Sequence, residues 1–430
     1  MKWLRRALIL LLLLVVMVVG WLFLRRDHAE PLPRAMRTIS DATLKDPALI
    51  ARGEYLAKAG DCSVCHTMPG GQPYAGGRAV VTPFGEIPSP NITPDNDTGL
   101  GRWNFEDFWR ALHSGIGRHG ELLYPAFSYT AFTKVHPADT LAIFAYLRSL
   151  PPVHQTSGRP NLRFPYSVRD ILIGWRLLYF REGQYQADAK QSAQWNRGAY
   201  LVQGLGHCNE CHDARNALGA ISSQQLLSGG EIPAQNWYAP DLSTRTNGGL
   251  QGWSSKDIVE LLKTGQSAKG VAFGPMAEVV TESTQHLADD DLQAIAVYLQ
   301  SLPARTMADV PKDVFNHKAQ ADQGETVYDQ QCAGCHGKDG NGVAGIYPPL
   351  NANASVTEPS GMNATRIVLL GGFAPGTLGN RRSYSMPPYA QQLGDADVAA
   401  VESYIRQAWS NHAPPVQERD VSKYRTTPVD

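Results

Sequence analysis

The chain has 430 residues, 43% of them hydrophobic and 18% charged, and its 39 basic and 40 acidic side chains leave a formal net charge of −1. That length asks for about three domains. The composition excludes a disordered chain and a multi-span membrane protein, and the charge balance gives no electrostatic case for a nucleic-acid partner.

The first element in chain order is apolar. Lys2, Arg5 and Arg6 precede an unbroken run from Ala7 to Leu24, closed by Arg25 and Arg26. Eighteen helical residues rise about 27 Å, close to the roughly 30 Å hydrocarbon core of a bilayer. A removable signal has a shorter apolar region and a small-residue cleavage site, and Trp21-Leu22-Phe23-Leu24-Arg25-Arg26 offers none. Residues 1–26 are therefore expected to be an uncleaved anchor in the inner (cytoplasmic) membrane, with the rest of the chain on the periplasmic side. The alternative, a cleaved signal, exports the same residues.

Three repeats follow. Gly53-Glu54-Tyr55-Leu56 leads to Cys62-Ser63-Val64-Cys65-His66, Gly198-Ala199-Tyr200-Leu201 to Cys208-Asn209-Glu210-Cys211-His212, and Gly324-Glu325-Thr326-Val327-Tyr328 to Cys332-Ala333-Gly334-Cys335-His336. Glycine in a helix costs about 1 kcal/mol relative to alanine, so its recurrence points to close approach by another element. That element is a closing helix opened by acid: Asp139 to Leu150, Asp289 to Leu302 and Asp395 to Trp409. Acid in the first turn suits the helix dipole, and glycine crossing against Tyr146, Tyr298 or Tyr404 would close each repeat. Between motif and closing helix, Asn91 to Gly115 parallels Pro240 to Gly265, each with a polar loop, a tryptophan (Trp103, Trp253) and a capped helix. Phe105, Phe108, Trp109 and Leu112 fall at i, i+3, i+4 and i+7, one buried helical face. The third repeat lacks this loop. The expected domains are 45–153, 196–304 and 318–412, with prolines at 151, 152 and 303 ending the first two. Residues 154–195 belong to no repeat and contain Val168 to Phe180, a connector or a docking segment for a membrane surface or partner subunit. The polar tail, 413–430, is expected to lack structure.

All six cysteines fall in the three Cys-x-x-Cys-His motifs. Such a motif attaches c-type haem: two thiols add across the porphyrin's vinyl groups, and the adjacent histidine ligates iron from below. A thioredoxin-like pair or a zinc site would not consume every cysteine in three exported repeats. The chain is thus expected to hold three covalent haems through Cys62/Cys65, Cys208/Cys211 and Cys332/Cys335, with His66, His212 and His336 as proximal ligands. The fold class is then mainly α, three tandem class I cytochrome c-like helical domains after a transmembrane helix.

A methionine as sixth ligand fills the iron site and raises its potential. Met276, in Gly274-Pro275-Met276-Ala277, and Met386, in Tyr384-Ser385-Met386-Pro387-Pro388-Tyr389, stand in the right register; Met307 and Met362 do not. The first repeat has Phe127 at this place, in Leu123-Tyr124-Pro125-Ala126-Phe127-Ser128-Tyr129, and its Met68 follows the proximal histidine too closely. His113, His119 and His136 remain, with His119 ranked first as distal ligand because it sits in the polar loop leading to Phe127.

Nearly the whole chain after residue 26 resembles the triheme cytochrome c subunits of bacterial membrane-bound dehydrogenases. The resemblance lies in Gly53 through His66, Leu123-Tyr124-Pro125-Ala126, Asn196 through His212 and Met386-Pro387-Pro388-Tyr389. It implies a non-catalytic electron-transfer subunit that takes electrons from a catalytic partner and passes them to ubiquinone. A retained anchor and Phe127 look more like the aldehyde-oxidising branch, whose partner carries molybdenum with an iron–sulfur subunit. The alcohol- and gluconate-oxidising branch, with pyrroloquinoline quinone (PQQ) in the alcohol enzymes, is the alternative. A reading of another class is a haem enzyme, a peroxidase or reductase, working at an open first iron; it needs a distal acid–base group.

Overall fold

The computed structural model describes residues 30–221, 226–243, 249–304 and 318–426, with six isolated positions before residue 30. Most of the expected anchor, residues 1–26, and Met307 therefore lie outside the described residues. Among the described residues no helix is long and apolar enough to cross a membrane. The chain divides into two compact units, Met1–Leu56 with Cys65–Gln186, and Ala57–Val64 with Ala187–Asp430. The second and third repeats fall in the same unit.

In the first repeat, α1 (Pro47–Ala59) leads to α2 (Cys62–His66), then to a hairpin of β1 (Ala79–Thr82) and β2 (Gly85–Pro88), α3 (Phe105–Ser114) and α4 (Pro137–Ser149). Asn104 and Asp107 cap α3 reciprocally, and Gly115 ends it at φ 62°. Phe105, Phe108 and Trp109 are buried as their spacing required, with Phe108 packed on Phe144 of α4 at 5.1 Å.

The segment after α4 is packed. Within residues 154–195, β3 (Asn161–Leu162) extends the sheet by pairing with β2, Gly85 opposite Leu162. Helix α5 (Leu172–Tyr179) then buries Leu172 and Ile173 against Ile116 and Leu122. A strand pairing and an apolar face fasten the segment to the first unit as far as Gln186.

In the second unit, α6 (Ala193–Tyr200) widens into a π turn over Leu201–Leu205 before α7 (Asn209–His212). A hairpin of β4 (Gly230–Ile232) and β5 (Trp237–Ala239) follows, then α8 (Ser255–Thr264), capped by Ser254 and Asp257 as α3 is by its pair, α9 (Pro275–Glu282) and α10 (Asp289–Gln300). Helix α11 (Lys318–Val327), another π turn over Tyr328–Cys332 and α12 (Ala333–His336) repeat the opening, and α13 (Met362–Leu370) and α14 (Asp395–Gln407) complete it. The side chain of Asn363 accepts from Tyr238 N–H at 2.9 Å and donates to its carbonyl at 2.7 Å, tying α13 to β5.

The tail also corrects the sequence reading. Residues Glu418–Arg425 form α15, which packs on α13 and α14. Val416, Val421 and Tyr424 are buried with Met362, Leu369 and Val398, each worth roughly 1.5–3 kcal/mol. Arg425 bonds Asp395 at 2.6 Å, and buried Arg406 donates to the carbonyls of Val356, Glu358 and Pro414 at 2.5, 2.8 and 2.8 Å. The apolar spacing was too sparse to announce a helix; its partners lie on other elements.

Candidate haem sites

Each motif is positioned by the crossing of an opening and a closing helix. A Cβ built on Gly53 would lie 1.9 Å from the Ala142 carbonyl oxygen and 2.8 Å from Tyr146 Cβ; on Gly198, 2.0 Å from Ala294 O and 2.9 Å from Tyr298 Cβ; on Gly324, 2.3 Å from Ala400 O and 2.8 Å from Tyr404 Cβ. This is the expected glycine-against-tyrosine crossing, made three times. The residue before each glycine pins it further. Arg52 bonds Asp139, Arg197 bonds Asp291 at 2.7 and 2.6 Å, and Gln323 bonds Asp397 at 2.8 Å. The acids that suit the helix dipoles therefore also set the crossing angle.

From that crossing the chain runs straight into the motifs. Cys62 and Cys65, Cys208 and Cys211, and Cys332 and Cys335 are each separated by one helical turn, and none is bridged by a disulfide. Burial, with Cys211 next to it, pushes the Cys208 thiol up to about 12; burial and then the nearby Glu402 do the same to Cys332. A dithiol redox pair needs the opposite shift. Among the described residues no three of His, Cys, Asp and Glu gather as a metal cage.

The histidines are held alike. His66 Nδ1 lies 2.7 Å from the Pro90 carbonyl, His212 Nδ1 2.7 Å from that of Pro240, and His336 Nδ1 3.0 Å from that of Pro348. A carbonyl only accepts, so in every ring Nδ1 carries the proton and donates. This fixes the tautomer and orientation and leaves Nε2 with its lone pair, the arrangement of a metal-ligating imidazole. Desolvation lowers the pKa of all three rings, partly opposed by the carbonyl, and so favours the neutral, ligating form. The residues thus fit covalent haem with a proximal histidine. Sequence reasoning missed the three prolines, although Pro90-Asn91-Ile92 and Pro240-Asp241-Leu242 stand in the same register, each just past a hairpin.

The distal candidates are placed less uniformly. Met276 is half-buried in the first turn of α9, after Gly274 at φ 54°. Met386 pairs with Gly372 across a short ladder and packs on the core holding Met362, which is itself buried and structural. Phe127 packs on Phe132 at 5.6 Å. His113 does not cap its helix: it is fully buried, stacked on Trp109 at 4.2 Å, with Nε2 3.0 Å from Glu30. His136 precedes α4 and lies edge-on to Tyr185. His119 is exposed on the turn after α3, its backbone N–H donating to Glu121 at 3.0 Å.

The third repeat also buries a carboxyl group. Glu402 on α14 is 1% exposed, between Arg406 and Glu358. Burial pushes its carboxyl up to about 8, Arg406 pulls it back and Glu358 adds to the rise. In the unfolded chain it titrates near 4.5. Below that pH both states hold the proton; between 4.5 and about 8 only the native state does, so stability falls as pH rises through this window and levels off above it. Glu402→Gln should remove that slope. Amide exchange of α14 should be slower in the variant than in wild type by at least about tenfold more at pH 8 than at pH 5; equal ratios at the two pH values would refute it.

Comparison with known proteins agrees with this geometry. The cytochrome c family model matches residues 50–151, 196–303 and 321–409. The chain is 39% identical over 403 residues to the cytochrome c subunit of alcohol dehydrogenase (quinone) from Gluconobacter oxydans, covering 89% of this chain and 83% of that one. It is 37% identical over 418 residues to the gluconate 2-dehydrogenase cytochrome c subunit of Pantoea cypripedii, covering 92% and 94%. It is 42% identical over 374 residues to one of the subunits of nicotinate dehydrogenase from Pseudomonas putida, covering 85% of this chain but only 31% of that one. Covalently bound haem c follows from the family. The chain belongs to the cytochrome c family, among the cytochrome c subunits of bacterial dehydrogenases.

Proposed function

We propose that the chain is the triheme electron-transfer subunit of a periplasm-facing, membrane-bound dehydrogenase complex, carrying electrons from a catalytic subunit to ubiquinone. The observation that carries it is the threefold Nδ1–proline carbonyl bond, because it prepares three imidazoles identically for iron. Haem iron supplies a reversible one-electron step between ferric and ferrous states. The protein's part is to hold each imidazole rigid through the helix crossing, and Met276 and Met386 would serve as sixth ligands of the second and third haems, so that coordination would stay constant. Residues 1–26 anchor the chain in the membrane. Denaturing electrophoresis with haem staining, intact mass, and mass spectrometry of the complex in mild detergent test the reading. Two haems, or no co-purifying dehydrogenase subunit, would defeat it.

For the partner we infer a molybdenum-type catalytic subunit with an iron–sulfur subunit, as in aldehyde oxidation, from the apolar run at 7–24 and Phe127 in place of methionine. A PQQ-type alcohol or gluconate-type partner is the second reading, favoured by the relatives aligned over most of their length. Metal and quinone-cofactor analysis of the co-purified subunit separates the two.

For the first haem we infer that His119 would supply the sixth ligand, because His113 is held by Trp109 and Glu30 and His136 lies against Tyr185. Oxidised protein should show only low-spin ferric signals in electron paramagnetic resonance, and His119→Ala should convert one of them to high spin. A high-spin signal in the wild type would instead favour the haem-enzyme reading.

A further inference from the structure

The segment after α4 carries an apolar surface that the described residues leave exposed in part. Phe164, Val168, Ile171, Leu177, Leu178 and Tyr179 are all exposed, Phe164 at 83% and Leu178 at 65%. Helix α5 explains why. Its inward face is already satisfied by Leu172 and Ile173 in the core and by Arg176, which donates to the Ser114 carbonyl at 2.6 Å and lies over the Phe180 ring at 4.8 Å. Away from that face, Ile171, Leu177 and Leu178 stay 45%, 40% and 65% exposed. Such an unpartnered stripe marks an interaction surface.

Charge and chain path say which kind. Between residues 159 and 181 there are five arginines and one acid, Asp170. Arg169 and Arg176 turn inward, onto the carbonyls of Leu122 and Ser114, whereas Arg159, Arg163 and Arg181 are exposed around the apolar stripe. Apolar residues in the middle, tyrosine at the edge and arginines around them suit the headgroup boundary of an anionic bilayer. The described chain also begins beside this surface. Glu30 N–H donates to Glu182 at 3.0 Å, Glu30 Oε2 bonds His113 at 3.0 Å, and Leu32 is buried. Glu182 comes three residues after Tyr179, and only residues 25–29 separate Glu30 from the apolar run ending at Leu24. Six residue steps reach at most roughly 20 Å, so an anchored run holds Glu30, bonded to Glu182 just past the end of α5, within about that distance of the membrane.

We propose that Phe164 to Arg181 is a second membrane contact, which lies in the headgroup region of an anionic bilayer with Ile171, Leu177 and Leu178 turned into the lipid. The proposal rests on the anchor reading above and adds the face by which the haem-bearing body lies on the membrane. A fixed face holds the first unit at one height and orientation, which a single tether does not.

The test uses the full-length haem-loaded chain in nanodiscs of anionic phospholipid doped with a phospholipid bearing a photoactivatable acyl chain, with lipid adducts mapped by peptide mass spectrometry. Adducts are expected both in residues 7–24 and in 164–181. In the double variant Ile171→Gln, Leu178→Gln, labelling at 164–181 should fall at least fivefold, with haem content and the 7–24 adducts unchanged. Labelling of 7–24 without 164–181 in wild type would overturn the proposal and leave the anchor standing. Labelling of 164–181 without 7–24 would support the docking face and overturn the anchor. Cross-linking of 164–181 to the catalytic subunit in the purified complex, without lipid adducts, would assign the surface to a protein and overturn the proposal as well.

Discussion

Gly198→Ala should yield little or no haem-loaded protein, and Gly53→Ala and Gly324→Ala should behave alike. The added methyl carbon would sit 2.0, 1.9 and 2.3 Å from a backbone carbonyl oxygen of the closing helix. A side chain could swing away, but a carbonyl engaged in its own helix cannot. The helices must therefore part by about 1 Å, straining the Arg197–Asp291 pair in the second repeat and its counterparts elsewhere. Overpacking costs typically 1–3 kcal/mol, and a clash with backbone on this scale belongs at or above the top of that range. The control is Gly174→Ala on α5, where a methyl meets nothing within 4 Å. That change should stabilise by up to about 1 kcal/mol through helix propensity. Yield, haem-to-protein ratio and thermal unfolding measure both. Near-normal yield and unfolding temperature for Gly198→Ala would mean that the crossing is looser than its geometry.

Met276→His and Met386→His should each move one wave of a redox titration to lower potential, leaving the other two in place. Imidazole donates to iron more strongly than a thioether and stabilises the ferric form, so the sign is downwards. Axial ligation spans about 0.8 V across haem proteins, and a shift on the order of 100 mV is expected for each. Both positions have room to test the idea without unfolding the chain. Met276 is half-buried at a helix start, and Met386 lies in a two-residue ladder. Unchanged titrations in both variants would identify these methionines as packing residues. A paired shift of two waves from one substitution would mean instead that neighbouring haems are strongly coupled electrostatically.

What the sequence determined by itself is whatever depends on short spacing. Two thiols three residues apart with an adjacent histidine require only one helical turn, so Cys62, Cys65 and His66 and their two counterparts were legible at once. The glycine that opens each repeat and the tyrosine that closes it were legible because they recur. So were the caps of α3 and α8, since Asn104 with Asp107 and Ser254 with Asp257 act within one turn. What only the tertiary structure decided involves partners far apart in the chain. The carbonyls of Pro90, Pro240 and Pro348 meet their histidines across sequence separations of 12 to 28 residues. The tail becomes a helix because α13 and α14 offer it an apolar groove, and because Arg406 spends its hydrogen bonds on Pro414 and the 356–358 loop. The segment after α4 joins the first unit through one strand pairing and two buried side chains. Periodicity reports how apolar a face is, but what covers that face is set by the whole fold. For the outer side of α5 it is set by what lies beyond the chain.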